Sequence, residues 1–372
     1  MLSQTNNVFK ISPKSLLNTA IDNDNIPLGY TCNNVPRMML NVGKLFPYRV
    51  NANGLSSGTE LADIYLSQVT CSYTRSILEF AMDDQLEFIQ GWIFAAGCDH
   101  LRRLYDNVQY ILAPKFCHIL DVPHKSGHDA ITWFSKELHA LSNEISEHFQ
   151  ADMSVTNIAQ AISVHNDVMQ SLQTIANYRK KNSPPFSGTE FHRLMSATWT
   201  LPIQFMKPII ERIEKQLPER TCPIDYKVRF LVVSSVVDQS EWIEAIENNG
   251  ALVVADRYCT GAIPELEICP QTDDPFYDMA SHLLQTNACP RMMDTFERRM
   301  DLIFQTVQDY HVDGVIISPI KFCDIWGVET TQVMSFLKEK KIPVLRLERD
   351  YCFSGEGQLN TRVQAFIEQI IQ

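Results

Sequence analysis

The stretch "VRFLVVSSV" at 228–236 is an unbroken apolar run rich in β-branched residues. That is the composition of a parallel strand covered on both faces. "DQSEWIEAIENNG" at 238–250 follows at helical spacing, with Trp242, Ile243 and Ile246 on one face and Gly250 where a helix C′ residue belongs. "ALVVAD" at 251–256 is the next strand. Beyond it, "FERRMDLIFQTVQDYH" (296–311) reads as a helix, "DGVIISP" (313–319) as a strand and "ETTQVMSFLKEKK" (329–341) as a helix. "IPVLRLE" (342–348) is a strand again and "GQLNTRVQAFIEQIIQ" (357–372) a closing helix. Strands and helices alternating at short spacing predict an open parallel sheet with helices on both faces.

The N-terminal third carries the same alternation more faintly. "FPYRVNA" (46–52), "GWIFAA" (91–96) and "KFCHILDVP" (115–123) read as strands, and "SYTRSILEFAMDD" (72–84) and "DHLRRLYDNV" (99–108) as helices. From about 126 to 217 strand patterns vanish. Helical stretches at 129–149, 156–181 and 203–217 take their place, broken by "NSPPFSG" at 182–188, where Pro184 and Pro185 cannot continue a helix. "PERTCPID" (218–225) has the composition of a linker. The expected fold is therefore α/β: two doubly wound, Rossmann- or flavodoxin-like parallel-sheet domains with an additional helical segment. The expected division puts residues 1–222, including the helical segment 126–217, in the first domain and 223–372 in the second. No internal repeat stands out.

A chain of 372 residues at about 150 per domain suits two domains. It is 45% hydrophobic and 20% charged, which excludes a disordered or collagen-like polymer. A chain this long buries roughly 70% of its surface or more and needs no disulfide staples. The net charge of -12 argues against a general nucleic-acid binder, because phosphate contacts need clustered bases. No apolar stretch approaches the ~18 residues of a membrane span, and "MLSQTNNVFKISPK" lacks the basic-then-apolar pattern of a secretory leader. A cytoplasmic location is expected, and there ten cysteines are thiols or ligands rather than disulfides.

The chain has no GxxxxGK[ST] loop, no GxSxG and no HExxH, so ATP hydrolysis by the chain alone is not expected. "GEGQLN" (355–360) opens a helix with a G-x-G but has Asn360 where a dinucleotide fingerprint needs its third glycine, and reads as a phosphate-tolerant or purely structural helix start. The cysteines fall at 32, 71, 98, 117, 222, 259, 269, 289, 323 and 352, no two closer than ten residues. Local spacing therefore predicts no zinc ribbon or ferredoxin run. Position is more telling. Cys71, Cys98 and Cys323 each stand where a helix begins, Cys98 and Cys323 just after strands. Helix N-termini favour thiolates, and the carboxyl ends of parallel strands are where open sheets hold ligands. Arg75, Arg102, Arg103 and Lys321 lie nearby in sequence and are candidates to offset thiolate charge; their plainer reading is solvated surface.

Several segments together resemble the 2-hydroxyacyl-CoA dehydratase family, which includes core subunits of ATP-dependent benzoyl-CoA reductases. They are "TELADIYLSQVTCSYTRSILEFA" (59–81), "GCDHLRRLYDN" (97–107), "PPFSGTE" (184–190), "IKFCD" (320–324) and "GQLNTRVQAFIE" (357–368). The resemblance implies that Cys71, Cys98 and Cys323 hold a [4Fe–4S] cluster, one per chain, with a larger double cluster as a variant. "GYTCNNVP" (29–36) is similar to the family's first motif and makes Cys32 the reserve ligand. The other six cysteines are expected to be core or surface thiols. The resemblance implies radical elimination of water from a 2-hydroxyacyl-CoA thioester. The partners implied are a homologous second subunit, an ATP-hydrolysing iron–sulfur activator protein and the acyl-CoA substrate, with no nucleic acid and no membrane. Aryl-CoA ring reduction and plain electron transfer are the alternatives. Glu60, Asp99, His100, Lys321 and Asp324 are residues near the expected ligands without an assigned role.

Overall fold

A computed structural model describes residues 9, 13–55, 58–262 and 266–372. Most of the N-terminal stretch read for a leader lies outside these residues. The first sheet holds β1 (Ile26–Tyr30), β2 (Leu45–Arg49), β3 (Gly91–Ala95) and β4 (Cys117–Leu120) in the order β2-β1-β3-β4. The second holds β5 (Val228–Ser234), β6 (Ala251–Arg257), β7 (Gly314–Ser318) and β8 (Val344–Arg346) in the order β6-β5-β7-β8. Every pairing is parallel. Counted from its own first strand, each sheet reads 2-1-3-4, the flavodoxin-like order. In that order the ligand crevice opens at the carboxyl ends of the first and third strands. The chain is a two-sheet α/β protein, as its alternation predicts.

Helices α1 (Pro13–Asp22), α2 (Ser72–Met82) and α3 (Asp99–Ile111) accompany the first sheet; α8 (Ser240–Glu247), α10 (Phe296–Asp309), α11 (Asp324–Glu339) and α12 (Glu356–Ile371) accompany the second. The strandless stretch folds as α4 (His128–Phe149), α5 (Val155–Asn177), α6 (Gly188–Thr200) and α7 (Ile203–Gln216). Four elements were not expected, α1 among them. "IPLGY" forms β1, a central strand, although its Pro27 and Gly29 weaken the strand pattern. Its neighbours cover all but one of its residues, so burial overrides propensity. Helix α6 follows the proline break and is announced by a capping box, Ser187 to Glu190. Helix α9 (Pro275–Gln285) begins at Asp274, which caps two backbone amides.

The helical stretch does not belong to the first sheet alone. Helix α4 packs against α9 from the second half, and α6 contacts β2 of the first sheet together with α8 and β6 of the second. A Cβ on Gly188 would lie 2.5 Å from the Val253 carbonyl, so only glycine lets α6 settle there. Glu247, at the end of α8, completes the seat. Its carboxylate accepts from the amides of Gly188 at 2.7 Å, Thr189 at 3.0 Å and Val253 at 3.1 Å, and from the Thr189 hydroxyl at 2.7 Å.

Glu247→Ala should lower unfolding free energy by about 3 kcal/mol or more, since each orphaned buried donor costs roughly 1–3 kcal/mol. Denaturant titration checks this, and a loss below about 1 kcal/mol would contradict the role of the seat. Two buried histidines set a pH dependence. Burial, the largest cause in both, pushes His192 and His282 from 6.5 down to about 4, with Arg37 adding to the effect at His282. The unfolded chain thus takes up protons near pH 6.5 that the folded chain refuses until about 4. The stability that these two residues contribute is present above pH 6.5 and drains away as pH falls towards 4. The Tm of a His192→Gln/His282→Gln chain should fall less steeply than that of the parent across this window.

Candidate functional site

The strand ends of both sheets face a common cleft. Cys32 follows β1, Cys98 follows β3, Cys259 follows β6, and Cys323 follows β7 after a short turn. Cys71, Cys98 and Cys323 are the N-cap residues of α2, α3 and α11. The halves meet here through polar bonds. Asn33 donates to the Cys259 carbonyl at 2.8 Å, and the Tyr351 amide donates to the Ser72 hydroxyl at 2.7 Å. His100 Nε2 lies 3.5 Å from Asp324 on α11.

The thiols sense one another. Burial, then the charges of Cys71, Cys323 and Cys32, raises the Cys98 thiol far above its usual range. Burial also lifts Cys323 to about 11, with Cys71 and Asp324 adding to it. Burial presses on Cys71 in the same direction, but His100 and Thr74 outweigh it and lower the thiol. Its Sγ lies 3.3 Å from Thr74 Oγ1, and its backbone amide donates to His100 Nδ1 at 3.3 Å. A helix N-terminus therefore does not by itself make these thiols acidic in this chain: at Cys98 and Cys323 desolvation wins. A bound metal reverses that balance by holding the thiolate form.

The bases expected to offset this charge are engaged elsewhere. Arg75 binds Asp63 at 2.9 Å, Arg103 binds Asp106 at 2.9 Å, Lys321 binds Asp350 at 2.8 Å, and Arg102 faces Asp121 at 3.9 Å. The cation that does lie beside thiols is Arg291. It is 3% exposed and close enough to Cys32 and Cys289 for their charges to act on it. Its guanidinium donates to the carbonyls of Pro123, at 2.5 Å, of Ala96, at 3.2 Å, and of Val122. Those carbonyls lie on the loops after β3 and β4, so one side chain ties these loops to its own round the cleft. Glu60 and Asp99 show no bond to the thiols among the described contacts.

Cys289, one of the six cysteines expected to be core or surface thiols, is a buried thiol near the cleft: it feels the charges of Cys32 and Cys323, and burial raises it to about 12. Cys32, Cys259 and Cys289 line one small cavity of about 40 Å³ together with Asn33, Asn34 and Asn287. The asparagines hold the loops in place. Asn287 donates to Asn34 at 2.6 Å and accepts from the Cys289 amide at 2.8 Å. Six thiols thus line the cleft, and their neighbours run across both sets, Cys32 beside Cys98 and Cys323 beside Cys289. Linear spacing hid Cys259 and Cys289, because they stand in loops whose strands and helices are far apart in sequence.

Three observations test whether these residues fit an iron–sulfur group. The donor set is thiols, which suit iron clusters. The buried Thr31 hydroxyl and Arg291 Nε have no protein partner among the described residues, and the Ser235 hydroxyl stands beside Cys323 too loosely for an ordinary hydrogen bond. Such donors are what cluster sulfides accept from. Among the described residues, no three His, Cys, Asp or Glu side chains stand together as a ready ligand set for a metal ion. It is the type of donor that fits the group: thiols, with hydroxyl and guanidinium donors beside them.

Two flavodoxin-like sheets with their ligand ends turned on a shared, thiol-lined cleft define the class. Residues 32–370 match the family model for the D-component of 2-hydroxyglutaryl-CoA dehydratase, and the chain belongs to that family. A protein of Escherichia coli K12 named "Putative dehydratase subunit YjiM" is 25% identical over 84% of this chain and 83% of its own. The beta subunit of (R)-phenyllactyl-CoA dehydratase of Clostridium sporogenes is 21% identical over 90% and 89% respectively. A benzoyl-CoA reductase subunit of Thauera aromatica is 19% identical over 84% and 82%. No helix among the described residues is long and apolar enough to cross a membrane.

Arg291→Met should destabilise the chain by about 2 kcal/mol or more, because it orphans three buried carbonyls. Arg291→Lys should not restore the loss, since a point donor cannot span what a fork spans. Equilibrium denaturation of both variants decides it, and full stability of the methionine variant would refute the tie.

Proposed function

We propose that the chain is the iron–sulfur subunit of a 2-hydroxyacyl-CoA dehydratase-type enzyme. The reaction is radical elimination of water from a 2-hydroxyacyl-CoA thioester after one-electron activation by an ATP-hydrolysing partner protein. The observation that supports this reading is that Cys71, Cys98 and Cys323 cap three helices on two sheets, with Cys71 and Cys323 near enough to Cys98 for their charges to act on it. Those three thiolates would hold a [4Fe–4S] cluster. When bound, it supplies a low-potential electron centre with one iron free of protein ligands. The chain's own part is to exclude water, fix the thiolates and place donors round them. His100 Nε2 faces Asp324 across the cleft, Ser235 stands beside Cys323, and Arg291 sets positive charge beside Cys32 and Cys289. A homologous second subunit fits the subunit names that the relatives carry, and the chain's lack of a phosphate-cradling loop fits ATP being the activator's task.

A second reading has one observation in its favour. The trio Cys32, Cys259 and Cys289 would let the cleft carry a double cluster on six thiolates. The chain would then be an electron-delivering subunit of the ATP-dependent reductase type.

Anaerobic purification separates the two. About four irons and four sulfides per chain fit a single cubane, and about eight irons fit the double cluster. Cys98→Ser should bleach the visible absorption under either reading. Cys289→Ser and Cys259→Ser should leave iron content unchanged for a single cubane and cut it by about half for a double one. Incubation with activator, ATP, and 2-hydroxyacyl-CoA and aryl-CoA esters then shows whether water is lost or a ring reduced. A colourless, iron-free chain would overturn both readings.

A further inference from the structure

A cavity of about 20 Å³ lies where the loop from β1 to β2 meets the helical layer. Tyr30, Arg37, Asn41, His165 and Trp199 are among its walls. Arg37 is 7% exposed and His165 3%. Among the described residues, no acidic side chain lines the cavity, and no carboxylate lies within ion-pair distance of Arg37. The guanidinium carbon of Arg37 stands over the Trp199 ring, 3.8 Å from its centroid. That contact uses the face of the group, whereas its N–H bonds point outward in the plane. Among the described residues, none of those N–H bonds meets an acceptor. Nη1 is sealed by its neighbours, as are Tyr30 Oη and Asn41 Oδ1, and a ligand cannot touch them. Nε and Nη2 of Arg37 and the ring nitrogens of His165 are not sealed, and they too lack partners among those residues.

The charge of Arg37 falls on two buried imidazoles instead of an anion. Burial, and after it the charge of Arg37, pushes His165 well below 6.5 and His282 to about 4. Both rings are therefore neutral at neutral pH, and a neutral ring still offers one N–H. A buried cation with neither counter-ion nor acceptor is costly. Water would bring acceptors without charge; an anion brings both. Size narrows the choice further. One water needs about 10–15 Å³, so a cavity of about 20 Å³ holds a single particle and has no room for a phosphate or an organic acid. We propose that this cavity binds one monovalent anion of chloride size, held by Nε and Nη2 of Arg37 and by an N–H of His165. The site does not depend on the cluster reading. Arg37 shares the loop after β1 with Cys32, and His165 belongs to α5, so the ion fastens that loop to the helical layer.

Thermal unfolding of the anaerobically purified full chain tests this, with sodium chloride exchanged for sodium gluconate at constant ionic strength. Gluconate is too large for the cavity. Between about 1 and 100 mM chloride the Tm should rise by about 2 °C or more, and bromide should act alike. Arg37→Met keeps an unbranched side chain against Trp199 without the charge, and its Tm should not respond to chloride. Should that variant fail to fold, crystals of the parent grown in bromide decide the matter: an anomalous peak should stand against Arg37 and His165. A parent Tm indifferent to chloride overturns the proposal. So does a chloride response that Arg37→Met retains, or a bromide crystal whose anomalous peaks all lie elsewhere.

Discussion

Parallel strands impose one constraint on everything at the cleft: all the carboxyl ends of a sheet emerge on the same side. Each sheet here has the order 2-1-3-4, so each opens a crevice where its first and third strands part. The two crevices face one another, and the loops that leave them carry Cys32, Cys98, Cys259 and Cys323. No single segment needs a ligand motif under this arrangement. Residues far apart in the chain, such as Cys98 and Cys323, meet because topology brings their strand ends together, and the helix that starts at each end takes the cysteine as its cap.

That is also why the sequence was legible in some places and mute in others. Continuous apolar runs such as 228–236 report burial on both faces, and they located the second sheet strand by strand. β1 was hidden because "IPLGY" carries a proline and a glycine, and only its neighbours on both sides make a strand of it. Cys71, Cys98 and Cys323 could be picked out because helix starts leave local traces. Cys259 and Cys289 left none. One sits in a loop after β6, and the other in a loop held by a bond between asparagines 253 residues apart, Asn34 and Asn287. Helix α6 could have been found, since Ser187 and Glu190 form a capping box just after the proline break.

Electrostatics in the cleft run against simple sequence arithmetic. Bases close in sequence to the cysteines are spent on surface carboxylates, whereas the cation that reaches the thiols, Arg291, comes from a loop with no strand of its own. Its position follows from backbone chemistry: three carbonyls at strand ends lack partners, and a guanidinium has enough donors to serve them all. Arg49 shows the complementary case, a guanidinium whose donors outnumber the acceptors that the chain places round it.

The seating of α6 has a mechanical consequence. The helix rests on β2 and β6 at once, pinned by Gly188 against Val253 and by the four donors that Glu247 collects. Glu247 and Val253 both belong to the second half, so these bonds fasten α6 to the second sheet, and only packing joins it to β2. A movement of one sheet against the other would therefore part α6 from β2 and leave the carboxylate's partners in place.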